Sequence, residues 1–427
     1  MYNRIIEIIN SINLSLVDDN SINILDTKIY KRISNINPKF KKIFNYAIKV
    51  NEYEFKRTIR HTFRVLLVYL LVLDKKFKLP CKLRDEDLQK LLHLINNINN
   101  KNEKILPLIF LIHDLGKPFN QKFHPKESAK IIDENNLLDD FNLNFEEKLI
   151  IKKVIEYHLM MGTINNGESS LWALKNLIND PEMWTIINTP SLLNLYLDIL
   201  VVFAIFDIWG YFYGIVSINS LNQYLELRRI FHQLLLIKDN EKEFKKLLNN
   251  LSFNRIEWRI SNAIRIFQYF NSGPNFTMIF FLKRIWDAIE KYNGDKINLN
   301  NWIEYKKKYF ANTVRVQMTY GLPVLMRLAM GSFKKRRWKI DENTIINSDL
   351  IEFWIALNEK IEIFLNKKDF LELPINIIFD GLPHWTQYNK RILELLKGKM
   401  IRKIIKLSKL ELKENKHQYN LILNFNN

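Results

Sequence analysis

The chain has 427 residues, 47% of them apolar, with only 11 glycines and 11 prolines; it exceeds what one hydrophobic core usually fills and is poor in turn punctuation. Its single cysteine, Cys81, excludes an intrachain disulfide framework and a cysteine-clustered zinc module, which leaves histidine and carboxylate to carry any metal chemistry. The formal net charge of +18 attracts polyanions such as nucleic acid or nucleotides, although lysine is abundant throughout and much of the excess suits solvated helix surface.

Between residues 5 and 48 the apolar spacing is helical with polar interruptions, and Asp18-Asp-Asn-Ser21 reads as a loop able to cap a helix. Residues 1–17 lack the continuous apolar run of a signal peptide, so a cytoplasmic protein is expected. Val65, Leu66, Val68, Tyr69, Val72 and Leu73 form a helical stripe over residues 54–75, preceded by Arg60-His61 at a helix beginning; Leu88, Leu91, Leu92 and Ile95 form another. Pro107 sits in the first turn of an apolar helix that Gly116 and Pro118 end, so His113 and Asp114 fall at its C-terminal end. Pro125 opens the next helix with His124 at its threshold. Asn144 can cap a further helix reaching Gly162, which places His158 on the face of Val154 and Ile155. Residues 192–218 are mostly apolar but contain Asp198 and Asp207, so the stretch is expected to be a buried core helix rather than a membrane span.

Beyond about Asp239 the helical patterns continue while aromatic residues cluster and charge turns basic. Lys334-Lys-Arg-Arg337, between Phe333 and Trp338, mixes charge with aromatic faces as single-strand binding sites do, and residues 390–416 hold ten basic residues against Glu394, Glu411 and Glu414. Both also suit a solvated face or flexible arm. Trp258, Trp286, Trp302, Trp338, Trp354 and Trp385 are expected in the core, and His93, His232, His384 and His417 at the surface or in packing. Residues 418–425 alternate enough for one strand.

Chemistry concentrates in His113-Asp-Leu-Gly-Lys117. Adjacent His and Asp at a helix end point in different directions and can address one metal from two sides or bridge two. His61, His124, His158 and Asp207 are the further candidates. Asp207 is preferred to Asp198 because a carboxylate among Phe203, Ala204 and Phe206 is costly without a cation.

The order His, His-Asp, His, His, Asp, with His-Asp inside His-Asp-x-Gly-Lys-Pro, resembles the HD superfamily of metal-dependent phosphohydrolases over roughly residues 55–235. The resemblance implies an HD-type helical bundle at 55–238; with the helical patterns on either side read as an N-terminal helical lead-in at 1–54 and an appended, basic, mainly helical region at 239–427, the expected fold is all-α. The resemblance also implies that His61, His113, Asp114 and Asp207 hold one divalent metal (Mn, Fe, Co, Zn or Mg). In two-metal members His124 and His158 would hold a second, with Asp114 bridging. A metal-activated hydroxide would attack phosphorus, with Asp114 and Lys117 as catalytic residues and Lys117 neutralising phosphate charge. The motifs of cyclic-dinucleotide hydrolases and the paired histidines of nucleases are absent, so the expected substrate is a nucleotide or nucleic-acid phosphoester in general. Two alternatives follow: a module binding RNA or DNA through its basic C-terminal half with a structural HD fold, and a diiron-type oxygenase, since such oxygenases share the ligand order.

Overall fold

A computed structural model describes residues 2–12, 14–19, 21–74, 83–211, 218–271, 277–330, 346–367, 371–382, 390–412 and 418–426. The readings made above for Cys81, His384, Trp385, His417 and segment 333–338, and part of that for 390–416, lie outside the described residues. Among the described residues helix accounts for 73% and strand for 5%, a predominantly all-α fold.

The chain divides into two compact units, Met1–Gly162 with Pro181–Gln233, and Thr163–Asp180 with Leu234–Asn427. The first opens with α1 (Tyr2–Ile9), α2 (Leu14–Asp18) and α3 (Lys28–Ser34). Next comes the long α4 (Pro38–Leu73). Pro38 at its first turn and the Asn37 side chain, accepting from the Phe40 amide at 2.8 Å, start it. Asn51 interrupts it with extended backbone (φ −157°, ψ 84°) and caps the second half, its Oδ1 accepting from the Glu54 amide at 3.1 Å. The lead-in and the metal-ligand region are therefore joined by one bent helix. His61 lies well inside that helix, not at a helix beginning.

Then follow α5 (Asp85–Asn102), α6 (Ile105–Ile112), α7 (His124–Glu134) and α8 (Phe145–Tyr157). All residues of α6 are buried, as befits a helix apolar on every side. The start of α8 is a capping box: Asn144 accepts from the Glu147 amide, and Glu147 accepts from the Asn144 amide, both at 2.9 Å. The helix does not run unbroken to Gly162; it stops at His158, and α9 (Leu159–Asn165) begins after it. Past α10 (Leu174–Ile178) and α11 (Met183–Asn188) comes α12 (Pro190–Tyr211), which packs on α4, α5 and α8. It is long and apolar enough to cross a membrane, and it is mostly buried. Full burial of a side chain such as Phe203 contributes roughly 1.5–3 kcal/mol, so α12 is the apolar spine on which the first unit is built.

The second unit takes in α14 (Glu241–Asn254) and later helices and a four-stranded sheet ordered β1 (Val316–Gln317), β2 (Ile375–Asp380), β4 (Tyr419–Asn424), β3 (Lys409–Leu412). β1–β2 and β2–β4 are parallel, and β3–β4 is antiparallel. Tyr419, Leu421 and Leu423 are buried in alternation along β4, the period-2 signal visible in the sequence. Residues 163–180, expected with the metal ligands, pack here. The Glu168 carbonyl accepts from the Met318 amide at 2.5 Å, and its carboxylate accepts from the Leu322 amide at 3.0 Å.

Burial pushes the Glu168 carboxyl up from 4.5 to about 7, against the backbone amides of Leu322, Tyr320 and Gly321 that favour its ionised form. A carboxyl whose folded value lies above its unfolded value binds a proton more tightly when folded. Its contribution is present below pH 4.5 and is lost as pH rises through about 7, a loss of about 3 kcal/mol. Thermal melts from pH 5 to 8 should therefore show a fall in midpoint for the native chain that is absent in Glu168→Gln; equal slopes would refute the assignment.

Candidate metal centre

Five of the six predicted ligands are fully buried: His61, His113, Asp114, His124 and His158. The Asp207 side chain is 18% exposed. Five helices of the first unit bring the six together. α4 supplies His61, the end of α6 supplies His113 and Asp114, and the start of α7 supplies His124. The end of α8 supplies His158, and α12 supplies Asp207. Burying so many ionisable groups together is costly unless they share a counter-charge.

Asp114 is the hub. Its Oδ2 lies 3.1 Å from His113 Nε2 and 3.7 Å from His61 Nε2. Its Oδ1 lies 3.1 Å from His124 Nε2 and 3.9 Å from His158 Nε2. Asp207 Oδ1 sits 2.9 Å from His61 Nε2 and 3.6 Å from His113 Nε2. Two groups thus share the one carboxylate, His61–His113–Asp114 and Asp114–His124–His158, with donor atoms in each within 4.8 Å of one another. Asp198, the rejected alternative, is taken by Arg228, whose Nε donates to it at 2.5 Å.

Three of the imidazoles are held in one orientation by the same device. Nδ1–H of His113 donates to the Phe110 carbonyl at 3.0 Å, that of His124 to Gln121 at 3.0 Å, and that of His158 to Ile155 at 2.7 Å. A ring that gives its Nδ1 proton to a carbonyl turns its Nε2 lone pair toward the centre, the arrangement that outer partners impose on ligating histidines. Each partner is three residues upstream, so the device is local to a helix end. Nε2 of His124 and Nε2 of His158 face each other at 3.3 Å; two lone pairs at that distance repel unless a proton or a cation lies between them. Nε2 of His113 and Oδ1 of Asp114 are buried and make no hydrogen bond among the described residues. Orphaned acceptors pointing at a common space are what a cation satisfies, so the donor set fits a divalent metal.

Four of the six groups are shifted toward their ligating forms. Burial, then the neighbouring His124, pushes the His158 imidazole down to about 3, and burial lowers His61 despite Asp207 and Asp114. His113 goes the other way: burial opposes its charge, but Asp114 and Asp207 outweigh it and raise the imidazole. Burial works against ionised Asp114 too, yet His113, Lys117 and His124 hold it well below the carboxylate range. Asp207 is held at about 2, burial being overcome by His61 and His113. Neutral His61 and His158 and ionised Asp114 and Asp207 are the ligand forms a cation requires, whereas His113 would have to yield its proton to the ion.

Two glycines set the spacing. A Cβ at Gly116 would stand 2.5 Å from the His124 carbonyl oxygen and 2.6 Å from the Ser128 amide, and the Gly116 amide itself donates to Ser128 Oγ at 2.9 Å. A Cβ at Gly210 would meet Val65 Cγ2 at 2.4 Å and His61 Cε1 at 2.8 Å. Gly116→Ala should therefore displace the start of α7 and His124 with it, at a cost of roughly 1–3 kcal/mol. Its thermal midpoint and its metal content should both drop, and an unchanged metal content would count against this packing role.

Sequence reasoning missed what surrounds the centre. A cavity of about 710 Å³ opens over His61 and Lys117 and is walled by Ser21–Ile24, Tyr53, Glu54, Lys56, Arg57, Thr58, Arg60 and Arg64. Its lining carries five cations, Lys56, Arg57, Arg60, Arg64 and Lys117, of which Lys56 pairs with Glu52, Arg57 with Glu54, Arg64 with Asp18 and Lys117 with Asp114. Arg60 also ties the N-terminal wall down, donating to the carbonyls of Val17 at 3.2 Å, Asp19 at 2.8 Å and Ile22 at 2.7 Å. Arg57 and Arg64 stand four residues before and three after His61, and Lys56, Arg60 and Arg64 repeat every four, the one signal that could have marked them. Lys117 Nζ pairs with Asp114 Oδ2. His93 is exposed, and its Nε2 meets Asn97 Nδ2 at 3.2 Å.

No family model, no curated protein and no solved structure matches this chain.

Proposed function

We propose that the chain is a metal-dependent phosphohydrolase of the HD kind, acting on a nucleotide or nucleic-acid phosphoester. The observation that carries the reading is the shared Asp114, with a trio of donor atoms within 4.8 Å of one another on each side and Lys117 at its edge. A bound divalent cation supplies acidified water near neutrality and polarises a phosphoryl oxygen, and a pair of them can clamp attacking and leaving oxygens. The chain's own residues do the rest. His61, His113, Asp114 and Asp207 would hold one ion, and Asp114, His124 and His158 the other. Mixed imidazole and carboxylate ligation suits Mn, Fe or Zn better than Mg, with Co also compatible.

Lys117 guards Asp114 through an ion pair at the cavity floor. With a cation held at Asp114, the Lys117 ammonium would be available to a phosphate oxygen as a point charge. The cations of the cavity wall draw the anionic substrate toward the floor. Phe203, 5.1 Å from both the His113 and His158 rings, closes the far side with apolar surface and keeps bulk water from the ligands.

The test is elemental analysis of protein purified without chelator, followed by a phosphoester screen with Mn or Fe supplied. Bound metal and turnover that chelator abolishes support the reading. A chain that holds no ion under any supply overturns it, and the net charge of +18 then favours a nucleic-acid binding module whose affinity falls steeply with salt.

A further inference from the structure

Exposed aromatic and apolar side chains on both sides of the α4 bend lead to the candidate centre. Tyr46 and Val50, before Asn51, and Tyr53, after it, are 60%, 46% and 73% exposed. Arg57 comes next, its guanidinium 5.8 Å from the Tyr53 ring centre, and Tyr53, Arg57 and His61 all line the cavity. The connection between α6 and α7, residues 113–123, carries two more rings. Phe119 stacks on Tyr46 at 5.3 Å and 25°. Phe123 is 43% exposed, with Lys122 Nζ 5.7 Å from its centre.

We propose that the ligand of this centre is single-stranded nucleic acid. Tyr53, Phe123 and the Tyr46–Phe119 pair would stack unpaired bases, while Lys56, Arg57 and Lys122 take the backbone phosphates and Lys117 the phosphate at the floor. The assignment rests on the phosphohydrolase reading and names its substrate. Aromatic rings interleaved with cations are the arrangement that binds single strands without reading sequence, because every base has a π-face and every linkage a charge. A duplex keeps its bases paired and stacked inside and offers these rings nothing. A free mononucleotide could use one ring but not the series. A protein partner could cover the same rings, but the cationic cavity that continues from them to His61 matches a polyanion.

The experiment measures binding of a short fluorescein-labelled oligothymidylate to the full chain by anisotropy, in chelator and again in an Asp114→Asn background so that nothing turns over. The single strand should bind more tightly than its blunt duplex or than thymidine monophosphate. Tyr53→Ala and Phe123→Ala, both at exposed positions, should each weaken it roughly five- to 150-fold with little change in salt slope. Arg57→Ala should instead make the salt slope shallower. Aromatic variants that bind like the native chain, or a duplex bound as tightly as the single strand, overturn the proposal and leave the face to a protein partner. Stacking-dependent binding without any hydrolysis supports it and overturns the phosphohydrolase reading alone. Hydrolysis of mononucleotides with no such binding does the reverse.

Discussion

Asp114→Asn protein, purified without chelator, is expected to carry almost no tightly held metal and to lose phosphoester hydrolysis at every metal concentration tried. The amide is nearly isosteric, so the fold has no steric reason to fail. What changes is the hub. Each oxygen of Asp114 faces an imidazole Nε2 at 3.1 Å, His113 on one side and His124 on the other. The substitution removes the one negative charge that both groups share and presents an N–H₂ to one set of lone pairs. Losing even an outer partner of a metal ligand typically costs 10–100-fold in affinity or activity, so loss of a ligand common to both ions should cost more than about 100-fold. Lys117 also loses its ion-pair partner and is left near a cavity floor already crowded with cations. Retained turnover in this variant, with an unchanged melting curve, would remove the catalytic assignment.

Much of this centre was legible because its residues announce themselves locally. His113 and Asp114 end an apolar helix bounded by Pro107 and Gly116, and Asn144 with Glu147 writes the start of α8 in four residues. A ligand at such a boundary also has a free carbonyl three residues upstream for its Nδ1–H, so the second partner is local too. Asp207 was separable from Asp198 because a carboxylate among Phe203 and Phe206 needs a partner; Asp207 meets His61 and His113, and Asp198 has Arg228.

What the sequence hid depends on distance along the chain. The carbonyls of Val17, Asp19 and Ile22 that hold Arg60 belong to main chain, and a carbonyl acceptor leaves no mark on residue type. The bend at Asn51 was hidden because the apolar stripe runs on either side of it. The place of residues 163–180 was hidden likewise, since Glu168 is tied to Met318 and Leu322 by backbone amides. Of the sheet, β4 alternates over six residues, whereas β1 is only two residues long and exists because β2 is there to pair with it.

His158→Ala and Asp207→Ala should separate the two halves of the centre. His158 belongs with His124, and Asp207 with His61 and His113, so if the native chain takes up two ions, each variant should retain about one. The remaining ion should differ in what it tolerates. Without His158 the pair His61–His113 keeps two carboxylates, a charge-rich site that suits a hard cation. Without Asp207 the other half keeps two imidazoles against the single carboxylate of Asp114 and favours a softer one. Turnover should fall in both variants if two ions clamp the attacking and leaving oxygens together, and only in Asp207→Ala if the His61–His113 ion acts alone. Elemental analysis beside initial rates therefore distinguishes a dinuclear mechanism from a mononuclear one with an accessory ion. Loss of both ions from His158→Ala would show instead that Asp114 cannot keep its position once one side of it is unoccupied, and would make the two halves a single cooperative unit.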